Sequence, residues 1–481
     1  MTGNYAIAAL ERAYRGPGAV AVAAAGRNVA YGAYADLTIS FALRMRALGV
    51  DGNSTVALLT KDLLAALAAI GAIGLLGARW APLASSTAAP FAGTTHVFTF
   101  GPGTERADAV VIDAGWFKPE QSNAAALGQF AGATSLDATW MIAHSSGTTG
   151  KLKYMPISYG TLWNRSSVAD LEGGAPLTLL NLFSPLSYVG ARINAFNLVH
   201  GGTNAYWAPW GQLLAMGVNR IMGSPAQLSL AIFERTAPPA KKIRSVRVTG
   251  AQVTAKFVAT ALRYFHEVQV LYGATEAGTM TLGRITDVAA FDGSTGQPVE
   301  GVEVQILDAD ERLCAAGVEG IVRVKAPWPA PFYIGEPELT AQVFKDGWFY
   351  PGDLGRLDAT GALCITGRTG DVLNVGGKKL NASELDEIIQ AHPDVRDGYC
   401  FIDRNDFDGE ILAIVATLKP GASRRCLAEI RDAAVEKLGQ SKAPQRFYVT
   451  DTLPRNENGK PMRQEAAAAV GRFKVVEEDR G

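Results

Sequence analysis

The chain has 481 residues, 48% of them hydrophobic and 19% charged. That is longer than one hydrophobic core usually serves, so at least two domains are expected. Forty-five Lys and Arg against 46 Asp and Glu leave a formal net charge of −1, which lacks the basic excess expected of a nucleic-acid or membrane-surface binder.

From the N-terminus, MTGNYAIAALERAYRG shows no basic start followed by an apolar core and a small-residue cleavage site, so export is not expected. The most apolar stretch, Leu63 to Gly77, is flanked by Asp62 and Arg79. It is shorter than the roughly 20 residues that span a bilayer and predicts a buried helix. Short apolar runs such as Ser54 to Leu59, Trp140 to Ala143 and Val268 to Leu271 alternate with helical patterns and no fixed-period repeat, which predicts an α/β architecture. A Gly-rich hairpin pattern covers Asp353 to Arg368, and the text changes character near Thr369.

Beyond it, Asn381 followed by Glu384 predicts a helix start, Ile411 to Leu418 a strand, and Leu427, Ile430, Ala434 and Leu438 a second helix. The expected organisation is a large N-terminal domain of β-sheets flanked by helices, residues 1–368, and a small mobile α+β lid domain, residues 369–481. Cys314, Cys364, Cys400 and Cys426 lie far apart without a CxxC pair, which argues against a zinc knuckle or disulfide framework and fits a reducing, cytoplasmic setting.

The strand at Trp140 to Ala143 runs into His144-Ser145-Ser146-Gly147-Thr148-Thr149-Gly150-Lys151-Leu152-Lys153. Glycines let backbone N–H groups approach a polyphosphate, hydroxyls add donors, and a lysine supplies a point charge. A Walker A loop would need Gly where Ser145 stands and Ser or Thr where Leu152 stands. On composition alone the segment is equally a plain surface loop.

SSGTTGKLK resembles the signature loop of the adenylate-forming superfamily, which includes acyl-CoA synthetases, luciferases and adenylation domains of nonribosomal peptide synthetases. Four more motifs follow in that family's order: YGATE at Tyr272–Glu276, WFYPGDL at Trp348–Leu354, GRTGD at Gly367–Asp371 and PRNENGK at Pro454–Lys460. The resemblance is strong from residue 145 to 463, and looser at Gly77–Leu83.

It implies that Ser146, Gly147, Thr148, Thr149, Gly150 and Lys153 handle the phosphates of ATP. Tyr272, with Gly273 and Ala274, stacks on adenine, and Gly250, Ala251 and Gln252 form the other wall. Thr275 meets a phosphate, Glu276 holds Mg²⁺, and Asp353, Ile365 and Arg368 lie at the ribose side. Lys460, delivered by the lid, and Lys153 neutralise charge as a carboxylate attacks the α-phosphorus. Leu152 stands where the family usually has proline, and Gly370 where its hinge carries Asp or Lys.

The implied activity is ATP-dependent formation of an acyl-AMP with release of pyrophosphate, then transfer to the thiol of coenzyme A past a turn containing Gly376 and Gly377. The nearest alternative acceptor is the phosphopantetheine of a carrier protein, and a degenerate nucleotide-binding regulator is more remote. The acid's pocket is expected from Asn181–Asn197, with Ser184, together with Trp207 to Trp210, Ser224 and the approach to Tyr272; Tyr188 aligns with an aromatic or histidine gate of the family and is equally a core tyrosine. Amino-acid-activating members carry an Asp near Ser184 to meet the ammonium; without one, α-amino acids are disfavoured. Arg192 either meets a second carboxylate or faces solvent. A small-to-medium aryl or acyl acid is expected, and the five histidines show no metal-like spacing.

Overall fold

The computed structural model describes residues 4–118, 124–130, 135–146, 152–167, 176–375, 378–405, 409–423, 425–455, 459 and 461–475. Among them, the N-terminal part is built on three sheets. In the first, Val110–Val111, His96–Phe100, Thr55–Thr60, Arg79–Pro82 and Thr139–Ser146 run parallel, and Leu152–Ser158 returns antiparallel to Thr139–Ser146 as a hairpin.

The second sheet has nine strands, with a parallel centre from Phe265–Ala274 through Ile243–Val248, Arg220–Gly223, Thr178–Asn181 and Thr203–Ala205 to Val20–Ala24. Its edges are antiparallel: Gly278–Ile285 pairs with Phe265–Ala274, and Arg27–Ala30 with Val20–Ala24. The third sheet is antiparallel and includes Glu303–Leu307, Gly320–Lys325 and the hairpin Asp353–Leu357 with Leu363–Arg368.

Parallel strands need covered faces, and the helices supply the cover. Leu63–Leu75 is buried along nearly its whole length, as its unbroken apolar text requires, and Asp62 caps it by accepting from Ala65 N at 2.8 Å. Beneath the helices Trp80 and Trp140 meet edge to face, with ring centroids 5.6 Å apart.

The C-terminal part is smaller. The hairpin Val372–Val375 with Lys378–Asn381 leads to the helix Ala382–Ala391, and a sheet of Val395–Asn405, Gly409–Leu418, Arg446–Val449 and Lys474–Val475 carries the helix Arg425–Leu438. Leu385, Ile389, Leu412, Ile414, Leu427 and Ile430 form its own core. Asn381 caps its helix as expected, but its side chain accepts from Ser383 N rather than pairing with Glu384 in a reciprocal box.

Candidate active site

The ends of these sheets converge. In the hairpin of the first sheet, Ser145 pairs in register with Lys153, so both side chains leave on one face. Ser145 Oγ donates to Glu276 Oε1 at 2.9 Å, and Tyr333 Oη donates to the same oxygen at 2.8 Å. Lys153 Nζ lies 5.6 Å from the centroid of the Tyr333 ring, within cation–π reach. Burial, reinforced by the neighbouring carboxylate, pushes the Tyr333 phenol far above its ordinary range, so it remains a donor to Glu276.

Glu276 is buried just past the strand Phe265–Ala274, in the turn that reverses into Gly278–Ile285. The turn is tight: a Cβ on Gly273 would lie 2.6 Å from Gly278 O, so only glycine fits. Glu276 O accepts from Ala330 N at 2.6 Å and from Arg165 Nη2 at 2.5 Å. The backbone of the elbow is therefore anchored independently of its carboxylate.

Beside it lies a second group. Tyr272 Oη donates to Asp353 Oδ2 at 2.5 Å, while Arg368 Nε meets Asp353 Oδ1 at 2.8 Å and its Nη2 donates to Pro351 O at 2.7 Å. Burial works against the Arg368 charge, but Asp353 and Asp371 outweigh it and hold the guanidinium firmly protonated. Burial, then Asp353, raises the Tyr272 phenol well above its ordinary range. Tyr272, Ala274 and Ile365 pack on the same apolar cluster around Val322 and Leu363, beside the Asp353 carboxylate and the Arg368 guanidinium.

Gly250, Ala251 and Gln252 follow the strand Ile243–Val248, and the Gln252 amide donates to Glu387 of the C-terminal part. The two parts also meet where Lys256 Nζ donates to Gln390 O at 3.2 Å and His392 O at 3.0 Å, and where Arg396 pairs with Glu234 at 3.0 Å.

Of the residues expected around the acid, Ser184 is exposed and its carbonyl accepts from Ser187 Oγ at 2.8 Å, closing the turn that starts the helix Tyr188–Val199. A Cβ on Gly190 would overlap Ser184 O, which fixes glycine there. Tyr188 is buried, and Arg165 Nη1 donates to its hydroxyl at 2.8 Å. Arg192 is only 3% exposed, so its solvent-facing alternative is corrected.

Ser224 is fully buried and closes a capping box with Gln227. A Cβ on Gly459 would lie 3.3 Å from Ser224 Oγ, so the chain just before Lys460 rests against this edge of the site. Trp207 stands at the surface, 44% exposed, with its indole donating to Ala231 O at 3.3 Å. Gly370 lies in the 3₁₀ turn Thr369–Asp371.

Gly147, Thr148, Thr149, Gly150, Gly376, Gly377 and Lys460 lie outside the described residues, as does the side chain of Ser146. Sequence reasoning missed Ser145 and Arg165 as site groups, and Tyr333 altogether. Tyr333 sits in an aperiodic Pro- and aromatic-rich stretch, and Arg165 on a helix whose text carries no motif.

Among the described residues no cluster of three His, Cys, Asp or Glu could hold a metal. A single carboxylate such as Glu276, with Ser145 and Tyr333 both on Oε1, still suits Mg²⁺, which takes its other ligands from phosphate oxygens and water. No helix among the described residues is long and apolar enough to cross a membrane.

The buried carboxylate of Glu276, with Lys153 close to its Tyr333 donor, thus stands beside the Tyr272–Asp353–Arg368 group. The chain belongs to the AMP-binding enzyme family: that family's profile matches residues 10–334, and the profile of the AMP-binding enzyme C-terminal domain matches residues 384–460. Curated relatives include the oxalate–CoA ligase of Saccharomyces cerevisiae, 26% identical over 67% of this chain and 62% of that protein. Another is the 2-succinylbenzoate–CoA ligase of Geobacillus kaustophilus, 33% identical over 40% of this chain and 39% of that protein. The chain thus aligns with less than two thirds of the length of either relative.

Among solved structures, O-succinylbenzoate coenzyme A synthetase from Bacillus subtilis in complex with ATP and magnesium ion superposes with a TM-score of 0.78 at 21% identity, covering 96% of this chain and 98% of that one. The amide bond synthetase McbA from Marinactinospora thermotolerans gives 0.77 at 22% identity, covering 96% and 99%. At these identities the structures establish a common fold.

Proposed function

We propose that the protein is an AMP-forming acid–thiol ligase that joins a carboxylic acid to coenzyme A. The observation that carries this reading is the juxtaposition of Glu276, held by Ser145 and Tyr333 near Lys153, with the Tyr272–Asp353–Arg368 group. Two anions must meet when a carboxylate oxygen attacks the α-phosphorus of ATP and pyrophosphate leaves, so positioning and cationic neutralisation dominate. Several curated relatives carry the name CoA ligase, which supports the same class.

In this reading Tyr272 and the Gly250–Gln252 segment sandwich adenine, and Asp353 accepts from the ribose hydroxyls with Arg368 and Ile365 beside it. Thr275 and the hydroxyl loop, including Thr148 and Thr149, grip phosphates with Lys153. Mg²⁺, when bound, would neutralise phosphate charge at Glu276. Lys460 reaches the reacting oxygens from the C-terminal part, and the seat of Gly459 on Ser224 supports that delivery. In the second step the thiol sulfur attacks the acyl carbon and AMP leaves.

We place the domain boundary near Thr369, with Gly370 as the hinge about which the 369–481 lid turns between the two steps, bringing Gly376 and Gly377 to the thiol path. Helical backbone at Gly370 costs glycine only entropy, so the hinge is loose rather than blocked. The pocket beside Ser184, Tyr188 and Ser224 takes a small-to-medium aryl or acyl acid without an ammonium group.

The test is product analysis with ATP, Mg²⁺ and benzoate, 2-succinylbenzoate, hexanoate or palmitate, offering coenzyme A or a phosphopantetheinylated carrier protein. AMP, pyrophosphate and a coenzyme A thioester are expected. A thioester on the carrier alone replaces the acceptor, and ADP as the nucleotide product overturns the reaction class.

A further inference from the structure

The guanidinium of Arg165 joins two parts of the site that the proposed chemistry treats separately. Arg165 lies on the helix Tyr159–Ser167 and is 7% exposed. Its Nε donates to Trp328 O at 2.7 Å, Nη1 to Thr275 O at 2.7 Å and to Tyr188 Oη at 2.8 Å, and Nη2 to Glu276 O at 2.5 Å. Four of its five N–H groups are thus spent on four acceptors in three segments: the Thr275–Glu276 elbow, the 326–336 loop and the head of the helix Tyr188–Val199. With most of its donors committed to protein acceptors, it is poorly placed to bind a substrate anion.

Two guanidinium groups lie within cation–π reach of the Tyr188 ring, Arg165 Cζ at 5.6 Å and Arg192 Cζ at 5.8 Å from its centroid. On the other side, a Cβ on Gly278 would come within 2.9 Å of Arg165 Cδ, so the strand after the elbow is packed directly on the arginine's stem. A planar fork of fixed donors transmits displacement, whereas a lysine ammonium, a single point of three rotatable donors, cannot span the same four acceptors.

We infer that Arg165 is a positioning residue that couples the acyl pocket to the elbow carrying the metal carboxylate: through one rigid group it fixes Tyr188 against the acid and the Thr275–Glu276 main chain from which the Glu276 side chain reaches the metal. This rests on the assignment of Mg²⁺ to Glu276 and of Tyr188 to the acid. An acid seated on Tyr188 is then sensed at Glu276 without any direct contact between them.

The test is pyrophosphate exchange with the panel acid that supports it best, titrating free Mg²⁺ at low and at saturating acid, with melting temperatures alongside. In the wild-type protein, saturating acid lowers the Mg²⁺ concentration at half-maximal rate. Tyr188→Phe, which cuts only the acyl arm, abolishes that coupling and raises the acid KM several-fold, while its Mg²⁺ requirement at low acid stays at the wild-type value. Arg165→Lys raises both the Mg²⁺ requirement and the acid KM, each by about tenfold, the size expected when charge-assisted hydrogen bonds are lost.

Coupling that persists in Tyr188→Phe overturns the inference even if Arg165→Lys fails to fold. So does an Arg165→Lys protein that melts lower yet keeps both dependences. Glu276→Gln separates the layers: if its Mg²⁺ requirement is unchanged, the metal assignment falls and the coupling falls with it. If Glu276→Gln shifts but Tyr188→Phe and Arg165→Lys do not, only the coupling is wrong.

Discussion

Tyr272 and Asp353, 81 positions apart in sequence, are joined by a 2.5 Å hydrogen bond from the phenol to the carboxylate. The residue proposed to stack on adenine thereby orients the residue proposed to hold the ribose. Arg368 takes the other carboxylate oxygen, so Asp353 is fixed from both sides before nucleotide arrives. Each oxygen keeps a lone pair for a ribose hydroxyl.

Asp353→Ala removes both acceptors and leaves the Arg368 guanidinium without its carboxylate. Loss of hydrogen bonds to a charged group costs about 1.5–3 kcal/mol, so the KM for ATP should rise by about ten- to a hundredfold. Tyr272→Phe keeps the ring and frees one oxygen, and should raise it only a few-fold. Steady-state kinetics in ATP at saturating acid distinguishes them, and equal effects contradict the orienting role.

Tyr333→Phe takes one of the two donors from Glu276 Oε1 while keeping the aromatic face beside Lys153. The expected outcome is a fall in the rate of acyl-AMP formation by about tenfold, corresponding to one hydrogen bond to a charged acceptor. Ser145→Ala should act similarly, and the double variant should lose more than either alone. Rapid-quench measurement of acyl-AMP tests this; an unchanged burst in both single variants removes these donors from the site's chemistry.

Lys460→Ala should abolish adenylation while sparing thioester formation from supplied acyl-AMP, because only the first step brings two anions together. A bulky residue at Gly377 should do the reverse. Assaying the two half-reactions separately decides the point, and equal loss of both in each variant contradicts a two-conformation enzyme.

The contacts between the two parts supply a related handle. Lys256 caps the C-terminal end of the helix Ala382–Ala391 through the carbonyls of Gln390 and His392, and Arg396 pairs with Glu234. Exposed pairs of this kind contribute at most about 1 kcal/mol each. Lys256→Ala combined with Arg396→Ala should slow adenylation several-fold and leave the thioester step from supplied acyl-AMP at least as fast. A double variant equally slow in both steps would show that these contacts do not select the adenylating arrangement.

Groups contiguous in the text were the legible part of this site. Tyr272 to Glu276 fall at the end of a strand because the apolar run before them demands one, and Asp353 and Arg368 face each other because a Gly-rich hairpin sets their register. The buried helix after Asp62 was equally readable, since an apolar stretch too short for a membrane has to be covered by protein. Contacts made by long-range packing left no such trace. Ser145 meets Glu276 across 131 positions and Arg165 reaches the same elbow across 111, with no local period to announce either. Trp207, expected from its aromatic stretch as a pocket wall, has its indole at the surface, a level of exposure that the local text does not set. Arg192, by contrast, is buried because the helix that carries it turns it inward beside Tyr188.

The most direct test of the account is carboxylate-dependent exchange of labelled pyrophosphate into ATP, run with the acid panel and without coenzyme A. Exchange that requires both an acid and Mg²⁺, and that disappears in Lys460→Ala, is the predicted result. Turnover of ATP that proceeds without exchange in the presence of an acid converted to its thioester would contradict an acyl-AMP intermediate.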